Sequence, residues 1–352
     1  MSNTNLSQLN QDLKTKSCPE NDQYFFGHGK LLISGEYFVL DGAQSLALPT
    51  RHGQSLSVKY SPSFSPKLSW KSYDVDGRCW FDQEFEFWHF KCLSKNPSEE
   101  AIFLQKILQQ VRKENPHFLR DEVDVQVETR LGFPLNWGLG SSSTLIYNVA
   151  QWAYISPFEL LFKTHGGSGY DIACAQSEAP ILYKKQTTGP HWSFAQFNPS
   201  FKDSIYFIYR GHKKNSRDAV KDYQKKRPFD AKVIQEVSRL SSEFLKARDL
   251  ETFQQCMKEH EAIVAKTLNY TPIKEEMFQD FSGEIKSLGA WGGDFMMAAT
   301  HLEPHAVKKY FLEKGLDVVL SYDDLINPII PQEFFIKDNP KMTHHHSNYK
   351  LH

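Results

Sequence analysis

The sequence contains no apolar run that approaches the roughly 20 residues needed for a membrane-spanning helix. Its first 21 residues are polar and lack the apolar stretch of a secretory signal. Five cysteines are dispersed without any C-x-x-C pair, at Cys18, Cys79, Cys92, Cys174 and Cys256. Such a set argues against a disulfide framework or a zinc cluster and suits a reducing compartment. We therefore expect a cytoplasmic protein without a membrane partner.

The sequence also lacks a dominant sign of charge, since 41 lysines and arginines balance 42 aspartates and glutamates for a formal net charge of -1. This balance gives no support to a nucleic-acid partner. No internal repeat is visible, and 40% hydrophobic and 24% charged residues are typical of globular proteins. With 352 residues, the chain is long enough for two sizeable cores. We expect a small-molecule substrate, and a homodimer is left open.

A segment rich in glycine and serine lies between two regular elements. Upstream, residues 123–127 alternate valine with polar residues, as a half-buried strand does; downstream, apolar residues from 145 to 153 recur at helical spacing. Gly138 and Gly140 let the backbone approach an anion, and serines 141–143 lie where the N–H groups of a helix start would point. The pattern predicts a phosphate-binding loop, and an ordinary serine N-cap is the alternative.

A hairpin is predicted near the N-terminus. The apolar run 31–40 ends at Asp41-Gly42, a strong turn signal, and residues 45–48 continue as a second strand before Pro49. Lys30 would lie at the entrance of this hairpin. A solvated charge at a strand edge is the alternative for Lys30.

Two further glycine-rich turns occur, within residues 164–175 and 286–299. In the first, Asp171 could accept a proton or stabilise a cation, or it could be a simple helix-start residue. Between the turns, residues 210–217 carry four cations and a histidine, which suggests an anion site; a solvated face is the default interpretation. Three such turns in one chain indicate loops that converge on a polyanionic ligand.

The remaining segments predict ordinary elements of a folded core. Residues 54–90 are typical of short strands with buried aromatic side chains. Residues 99–114 have helical periodicity that ends before Pro116, and residue 204 starts a buried strand. The amphipathic segment 231–266 is interrupted near Arg248 and predicts two helices.

Three blocks, taken in order, resemble the signature motifs of the GHMP kinases, which include galactokinase and the homoserine, mevalonate and phosphomevalonate kinases. They are residues 29–40, which begin Gly-Lys; residues 134–143, with Pro-x-x-x-Gly-Leu-Gly-Ser-Ser-Ser; and residues 289–294, Gly-Ala-Trp-Gly-Gly-Asp. The resemblance covers about residues 24–325. Gly-Glu-Tyr at 35–37 and the segment 167–173 are most similar to phosphomevalonate kinases.

The resemblance implies an α+β fold with two domains and an active site between them. Residues 23–199 would form an ATP-binding domain that resembles domain 2 of ribosomal protein S5. Residues 200–335 would form a ferredoxin-like C-terminal domain. Residues 1–22 and 336–352 would be a polar leader and a polar tail.

The resemblance also implies ATP and Mg²⁺ as ligands and assigns roles by position. Lys30 would neutralise charge on the acceptor side and Asp171 would lie beside the acceptor group, both as catalytic residues. The ATP phosphates would be wrapped by Pro134, Gly138, Leu139, Gly140, Ser141, Ser142 and Ser143, with Ser142 as the Mg²⁺ ligand. Substrate would be bound by Glu36, Tyr37, Ser168, Gly169, Lys214, Gly289, Gly292 and Gly293.

Three positions depart from the family pattern. His28 stands where proline is usual, Trp291 stands where glycine is common, and the glutamate that binds Mg²⁺ in mevalonate kinases has no clear counterpart beyond Glu159. The last departure weakens the mevalonate kinase interpretation.

The chemistry of the acceptor favours phosphomevalonate. Its attacking oxygen is already anionic at neutral pH, so it needs more positive charge and less base than a hydroxyl does. Lys30, Lys213, Lys214 and Arg217, with His28, Arg51 and His165, would provide that charge if the loops converge. Mevalonate or a sugar is the alternative acceptor. A non-catalytic relative that binds nucleotide or a small acid is the alternative of another class.

Overall fold

The computed structural model describes residues 23–121, 123–211, 223–225, 230–289 and 294–327. Its first half contains a seven-stranded sheet. The strands are β1 (Gln23–Leu32), β2 (Ser45–Pro62), β3 (Lys67–Tyr73), β4 (Cys79–Glu86), β5 (Val123–Leu131), β6 (Ile181–Gln186) and β7 (Gly189–Phe194). Their order is β4-β3-β5-β2-β6-β7, with β1 also paired to β2. The β3–β5 pair is parallel, and the other pairs are antiparallel.

Four helices accompany this sheet, α1 (Glu99–Glu114), α2 (Ser141–Trp152), α3 (Pro157–Thr164) and α4 (Tyr170–Ala175). Helix α1 begins where the Ser98 side chain accepts a hydrogen bond from the N–H of Ala101, and its apolar stripe is buried. The stripe packs with Trp70, Phe85 and Phe87 in one hydrophobic core. The predicted helix 99–114 and the buried aromatic side chains of the strands are confirmed.

The second half contains a four-stranded antiparallel sheet of β8 (Ile205–Tyr209), β9 (Glu284–Ser287), β10 (Phe295–Ala299) and β11 (Val319–Ser321). Its helices are α5 (Ala231–Lys246), α6 (Leu250–Leu268), α7 (Ile273–Met277), α8 (Pro304–Glu313) and α9 (Tyr322–Leu325). The strand order is β11-β8-β10-β9. With helices after the first and third strands, this is the β-α-β-β-α-β arrangement of a ferredoxin-like sandwich.

The two halves share packing. One hydrophobic core contains Leu48 and Phe133 from the first half together with Phe207 and Phe295 from the second. The domain boundaries proposed from the sequence stay a prediction. Within the described residues, no helix is long and apolar enough to cross a membrane.

The first hairpin differs from the prediction. Residues 38–41 form a 3-10 helix rather than the end of a strand, and β2 continues through Pro49. Pro49 pairs with Lys30 beside a register shift in β1, where the N–H of Lys30 bonds to the Leu139 carbonyl at 3.0 Å. Proline is tolerated at such an irregularity because the regular ladder is already interrupted. The irregularity therefore joins β1 to the predicted phosphate loop.

The predicted break near Arg248 is confirmed. Helix α5 ends at Lys246, and Asp249 caps α6 by accepting a hydrogen bond from the N–H of Thr252 at 2.7 Å. An aspartate cap satisfies one of the N–H groups that a helix start leaves without an intrahelical partner.

Candidate active site

The predicted phosphate loop connects β5 to the start of α2. Pro134 begins a turn that is closed by the N–H of Trp137, which bonds to the Pro134 carbonyl at 3.0 Å. Gly138 and Gly140 have φ angles of +67° and +94°, a region that favours glycine. Gly140 is the N-cap residue of α2, and no described side chain caps this helix start. The amides of the first turn are therefore available to an anion, as the ends of helices are in many phosphate sites.

Lys30 lies against this loop and reaches the predicted acidic residue. A Cβ atom added at Gly140 would come within 3.2 Å of Lys30 Cγ, so the lysine stem packs on the loop backbone. Lys30 Nζ is 3.8 Å from Asp171 Oδ1, with the two side chains 15% and 24% exposed. The structure thus brings together the two residues that the sequence predicts to be catalytic.

Asp171 lies in the first turn of α4, within the glycine-rich segment 164–175. The N-cap residue Gly169 has a φ of +97°, and Ser168 is buried. The Tyr183 hydroxyl donates to the Ser168 carbonyl at 2.5 Å and fixes this turn on β6. Burial and the Asp171 charge raise the pKa of both Tyr170 and Tyr183 well above the ordinary tyrosine value, so both hydroxyls stay protonated. Tyr170 also lies beneath Lys30, with its ring centroid 5.6 Å from Nζ.

The third motif block, residues 289–294, lies between β9 and β10. Its ends are closed by the N–H of Leu288, which bonds to the Phe295 carbonyl at 3.1 Å, and Gly289 follows with a φ of +68°. Asp294 is buried, and its carboxylate lies against Gly138: a Cβ atom added there would be 2.0 Å from Asp294 Oδ2. The second and third blocks are therefore in direct contact.

Other predicted residues lie apart from this group. Glu36 and Tyr37 are buried; the Glu36 carboxylate pairs with Lys286, and Tyr37 stacks on Tyr223 with ring centroids 5.3 Å apart. Their assignment to substrate binding stays a prediction. Lys214, Gly292 and Gly293, together with Lys213, Arg217 and Trp291, lie outside the described residues.

The remaining candidates have other contacts. Buried His28 places Nδ1 2.9 Å from the Thr50 carbonyl and Nε2 3.2 Å from Glu178 Oε2. His165 packs edge-on against Phe103, with ring centroids 5.4 Å apart. Glu159 is exposed and forms an ion pair with Lys163 at 3.2 Å. Glu159 thus has a local partner on α3 itself.

Sequence reasoning missed two features of this region. The sequence singled out Asp294 only as the last residue of the third block. Its φ is +32°, which is unusual for a non-glycine residue and marks a strained position of the kind found at functional sites. The sequence also did not predict the buried contacts of His260, Glu261 and Lys286, because nothing in it places α6 or β9 beside the first block.

The described residues offer few protein ligands for a magnesium ion. The described residues contain no group of three or more His, Cys, Asp or Glu side chains that could hold a metal ion. Mg²⁺ shared with a polyphosphate commonly takes only one or two protein ligands, alongside phosphate oxygens and water. The hydroxyl of Ser142, in the first turn of α2, is an oxygen donor of the required type. The donor set therefore fits an ion held mainly by a bound phosphate chain.

Comparison with known proteins gives structural relatives alone. No family model matches the sequence, and no curated protein does. L. major mevalonate kinase, solved with R-mevalonate, has a TM-score of 0.63 at 15% identity, covering 89% of this chain and 99% of that one. Streptococcus pneumoniae phosphomevalonate kinase, solved with phosphomevalonate and AMPPNP, has a TM-score of 0.61 at 17% identity, covering 85% and 99%.

A sugar-phosphate kinase has the same architecture. The D-glycero-D-manno-heptose 1-phosphate kinase of Bacteroides thetaiotaomicron has a TM-score of 0.56 at 11% identity, covering 87% of this chain and 95% of that one. At these identities the likeness establishes the fold, and the chain has the fold of GHMP kinases.

Proposed function

We propose that this chain is an ATP-dependent small-molecule kinase of the GHMP family. One observation carries the proposal: the described parts of the three motif blocks, far apart in sequence, contact one another next to the start of α2. Lys30 of the first block bonds through its N–H to Leu139 of the second and pairs with Asp171 at 3.8 Å. Asp294 of the third block lies against Gly138.

The arrangement suits phosphoryl transfer, in which positioning and charge neutralisation supply most of the catalysis. The first-turn amides of α2 would bind the phosphates of ATP, and the Ser142 hydroxyl would hold the metal. Bound Mg²⁺ would neutralise charge on the phosphate oxygens. Lys30 attracts the anionic acceptor and the transferred group, while Asp171 fixes the ammonium group and orients the acceptor oxygen.

We propose phosphomevalonate as the acceptor, with mevalonate and sugar phosphates as the competing candidates. An acceptor oxygen that is already anionic needs a cation more than a base. Lys30 supplies a cation beside the loop, with Nζ 3.8 Å from Asp171 Oδ1. Solved kinases of the same fold include a mevalonate kinase, a phosphomevalonate kinase and a heptose 1-phosphate kinase, so the fold alone does not choose among these acceptors.

A coupled ADP-release assay tests the proposal, with mevalonate, phosphomevalonate, a heptose phosphate and galactose supplied separately. Turnover is expected to be highest with phosphomevalonate. Turnover of mevalonate alone would reverse the choice of substrate. If the protein binds ATP but releases no ADP with any acceptor, the kinase proposal is wrong and the non-catalytic nucleotide-binding alternative is favoured.

Two variants test the assigned roles. Asp171→Asn is expected to lower kcat by about 100-fold or more while ATP affinity changes little, because positioned charged groups act mainly on the transferred group. Lys30→Met should lose more acceptor turnover than nucleotide affinity. Lys71→Met is the matched control, since this lysine on β3 is exposed and pairs with Asp82 at 3.6 Å. Full activity of either site variant would remove its assigned role.

A further inference from the structure

Four ionisable side chains from the first block, α6 and β9 are buried together. Glu36 follows β1, His260 and Glu261 belong to α6, and Lys286 belongs to β9; each side chain is at most 2% exposed. Lys286 Nζ pairs with Glu36 Oε1 and donates to the Ser287 carbonyl at 2.9 Å. We call these four residues the buried cluster. Buried charges of this kind are retained only where partners compensate them.

His260 has one ring nitrogen that faces both a donor and an acceptor. Nε2 accepts a hydrogen bond from the N–H of Gly35 at 2.8 Å, and Glu36 Oε2 lies 3.3 Å from the same nitrogen. A single ring nitrogen either accepts or donates. Burial and the Lys286 charge lower the pKa of His260 well below the ordinary value, so the ring is neutral and Nε2 accepts. Protonation would turn Nε2 into a donor towards Glu36 and release Gly35.

Gly35, whose N–H bonds to His260, lies in a closely packed segment between β1 and Tyr37. Its φ is +91°, and a Cβ atom added there would lie 2.0 Å from Ser45 Oγ. Ser34 on one side donates to Ser241 of α5 at 2.7 Å, and Gly35 bonds to His260 of α6. The chain between β1 and Tyr37 is therefore anchored to two helices of the second half.

The buried cluster lies beside the support of the candidate active site. Tyr170 packs in one hydrophobic core with Leu32 and Val39, the residues on either side of the segment that carries Glu36. Burial, first, and the charges of Asp171, Cys174 and Glu36 raise the pKa of Tyr170. The Tyr170 ring lies under Lys30 Nζ. On the other side, Lys286 and Ser287 lead directly into Gly289 of the third block. Glu36 and Lys286 thus connect the backing of Lys30 to the strand that carries the third block.

We propose that His260 is a positioning residue for the kinase reaction. In its neutral form it holds the loop after β1, and this loop keeps Lys30 in place relative to the third block. This inference rests on the proposed function for its kinetic consequence. Among the described residues, the charged or titratable groups that interact electrostatically with His260 or its cluster partners are Glu36, Glu261, Lys286, Tyr170 and Arg210. His260 acts through these contacts and touches no substrate.

The test compares His260→Gln with His260→Leu. A glutamine oxygen can accept from the Gly35 N–H, whereas leucine has a similar volume and no acceptor. His260→Leu is expected to lower kcat about 10-fold with the KM for ATP nearly unchanged, a loss typical of one misplaced oriented group. His260→Gln should recover most of that loss. Wild-type kcat should fall as the pH is lowered through the protonation of His260, and His260→Gln should lack this acid limb.

A second readout does not depend on the activity. Hydrogen exchange of peptides that cover residues 33–40 should accelerate at least several-fold in His260→Leu and stay near the wild-type rate in His260→Gln. Unchanged exchange in His260→Leu would overturn the positioning role even if the kinase is active. An inactive wild type with the expected exchange pattern would overturn the proposed function and leave the anchoring of Gly35 supported. If His260→Leu does not fold, equal acid limbs in wild type and His260→Gln would still contradict the proposal.

Discussion

Glu261 offers a quantitative test of the buried cluster. Its carboxylate accepts hydrogen bonds from the N–H of Ser287 at 3.1 Å, the hydroxyl of Ser287 at 3.0 Å and the N–H of Ile273 at 3.3 Å. Burial raises its pKa from 4.5 to about 7, and the nearby Lys286 charge offsets only part of that rise. We predict that Glu261→Gln removes a pH-dependent component of the free energy of unfolding.

The sign and size follow from proton linkage. A carboxyl group whose pKa is raised in the folded state stabilises the fold fully below its unfolded pKa of 4.5, and this contribution is lost as the pH rises through about 7. At pH 6 the folded group holds nearly one proton and the unfolded group almost none, so stability falls by about 1.4 kcal/mol per pH unit. At pH 8 both states are ionised. The loss between pH 6 and pH 8 is therefore about 1 kcal/mol.

His260 has the opposite effect, which decides the design of the experiment. Its pKa is lowered below 6.5, so its contribution is lost as the pH falls through the range below 6.5. The comparison must therefore be the difference between wild type and Glu261→Gln, in which His260 cancels. Denaturant unfolding at pH 6, 7 and 8, followed by tryptophan fluorescence, gives that difference.

The expected result is that Glu261→Gln gains about 1 kcal/mol relative to wild type as the pH rises from 6 to 8. Glu313→Gln is the control, because it removes an exposed carboxylate at the end of α8. Its difference from wild type should be the same at all three pH values. A constant difference for Glu261→Gln as well would show that the carboxyl group is ionised alike in both states, and the account of the cluster would be wrong.

Three further outcomes are expected. Gly138→Ala should abolish most ATP binding by calorimetry, since its Cβ atom would overlap a carboxylate; Gly77→Ala, with φ +78° and nothing within 4 Å, should cost only about 1 kcal/mol of stability and leave binding intact. Phe85→Ala, fully buried in the first core, should lower the free energy of unfolding by about 3–5 kcal/mol in denaturant titrations. Lys286→Met should cost about 3–5 kcal/mol in the same assay because it leaves the buried Glu36 carboxylate without its cation. Adding Glu36→Gln should recover part of this loss, because the double variant no longer contains that carboxylate.

Local signals in the sequence predicted the elements that depend on local physics. Helix 99–114 has a period, a serine cap and a following proline, and all three act within a few residues. The break before Asp249 is of the same kind. The segment 38–41 misled the prediction because an apolar run before Asp-Gly is typical of a strand, whereas Tyr37 has a φ of +63° and the chain turns into a 3-10 helix. That turn follows the anchoring of Gly35 to α6, which no local signal reports.

The candidate site was predictable to the same extent. The predicted phosphate loop, Lys30 and Asp171 could be singled out because their segments carry glycine patterns that resemble a family, and the structure places Lys30 beside both Gly140 and Asp171. Their roles stay predictions. The buried cluster could not be singled out, since Glu36 and Lys286 are separated by 250 positions and each is an ordinary surface-type residue when read alone.

The glycines of the predicted phosphate loop are required by the packing of the loop, whatever anion it binds. A Cβ atom at Gly138 would strike the Asp294 carboxylate at 2.0 Å, and one at Gly140 would press on Lys30 Cγ at 3.2 Å. Each glycine thus makes room for a side chain from a different block. An exposed loop would need glycine only for its φ angle, and a Cβ atom would then be strained but not blocked. Gly138 must be glycine both for its positive φ angle and for the close approach of Asp294. Its substitution should therefore damage the contact between the blocks as well as the loop. ATP should fail to restore the variant at concentrations that would restore a loop strained only in its φ angle.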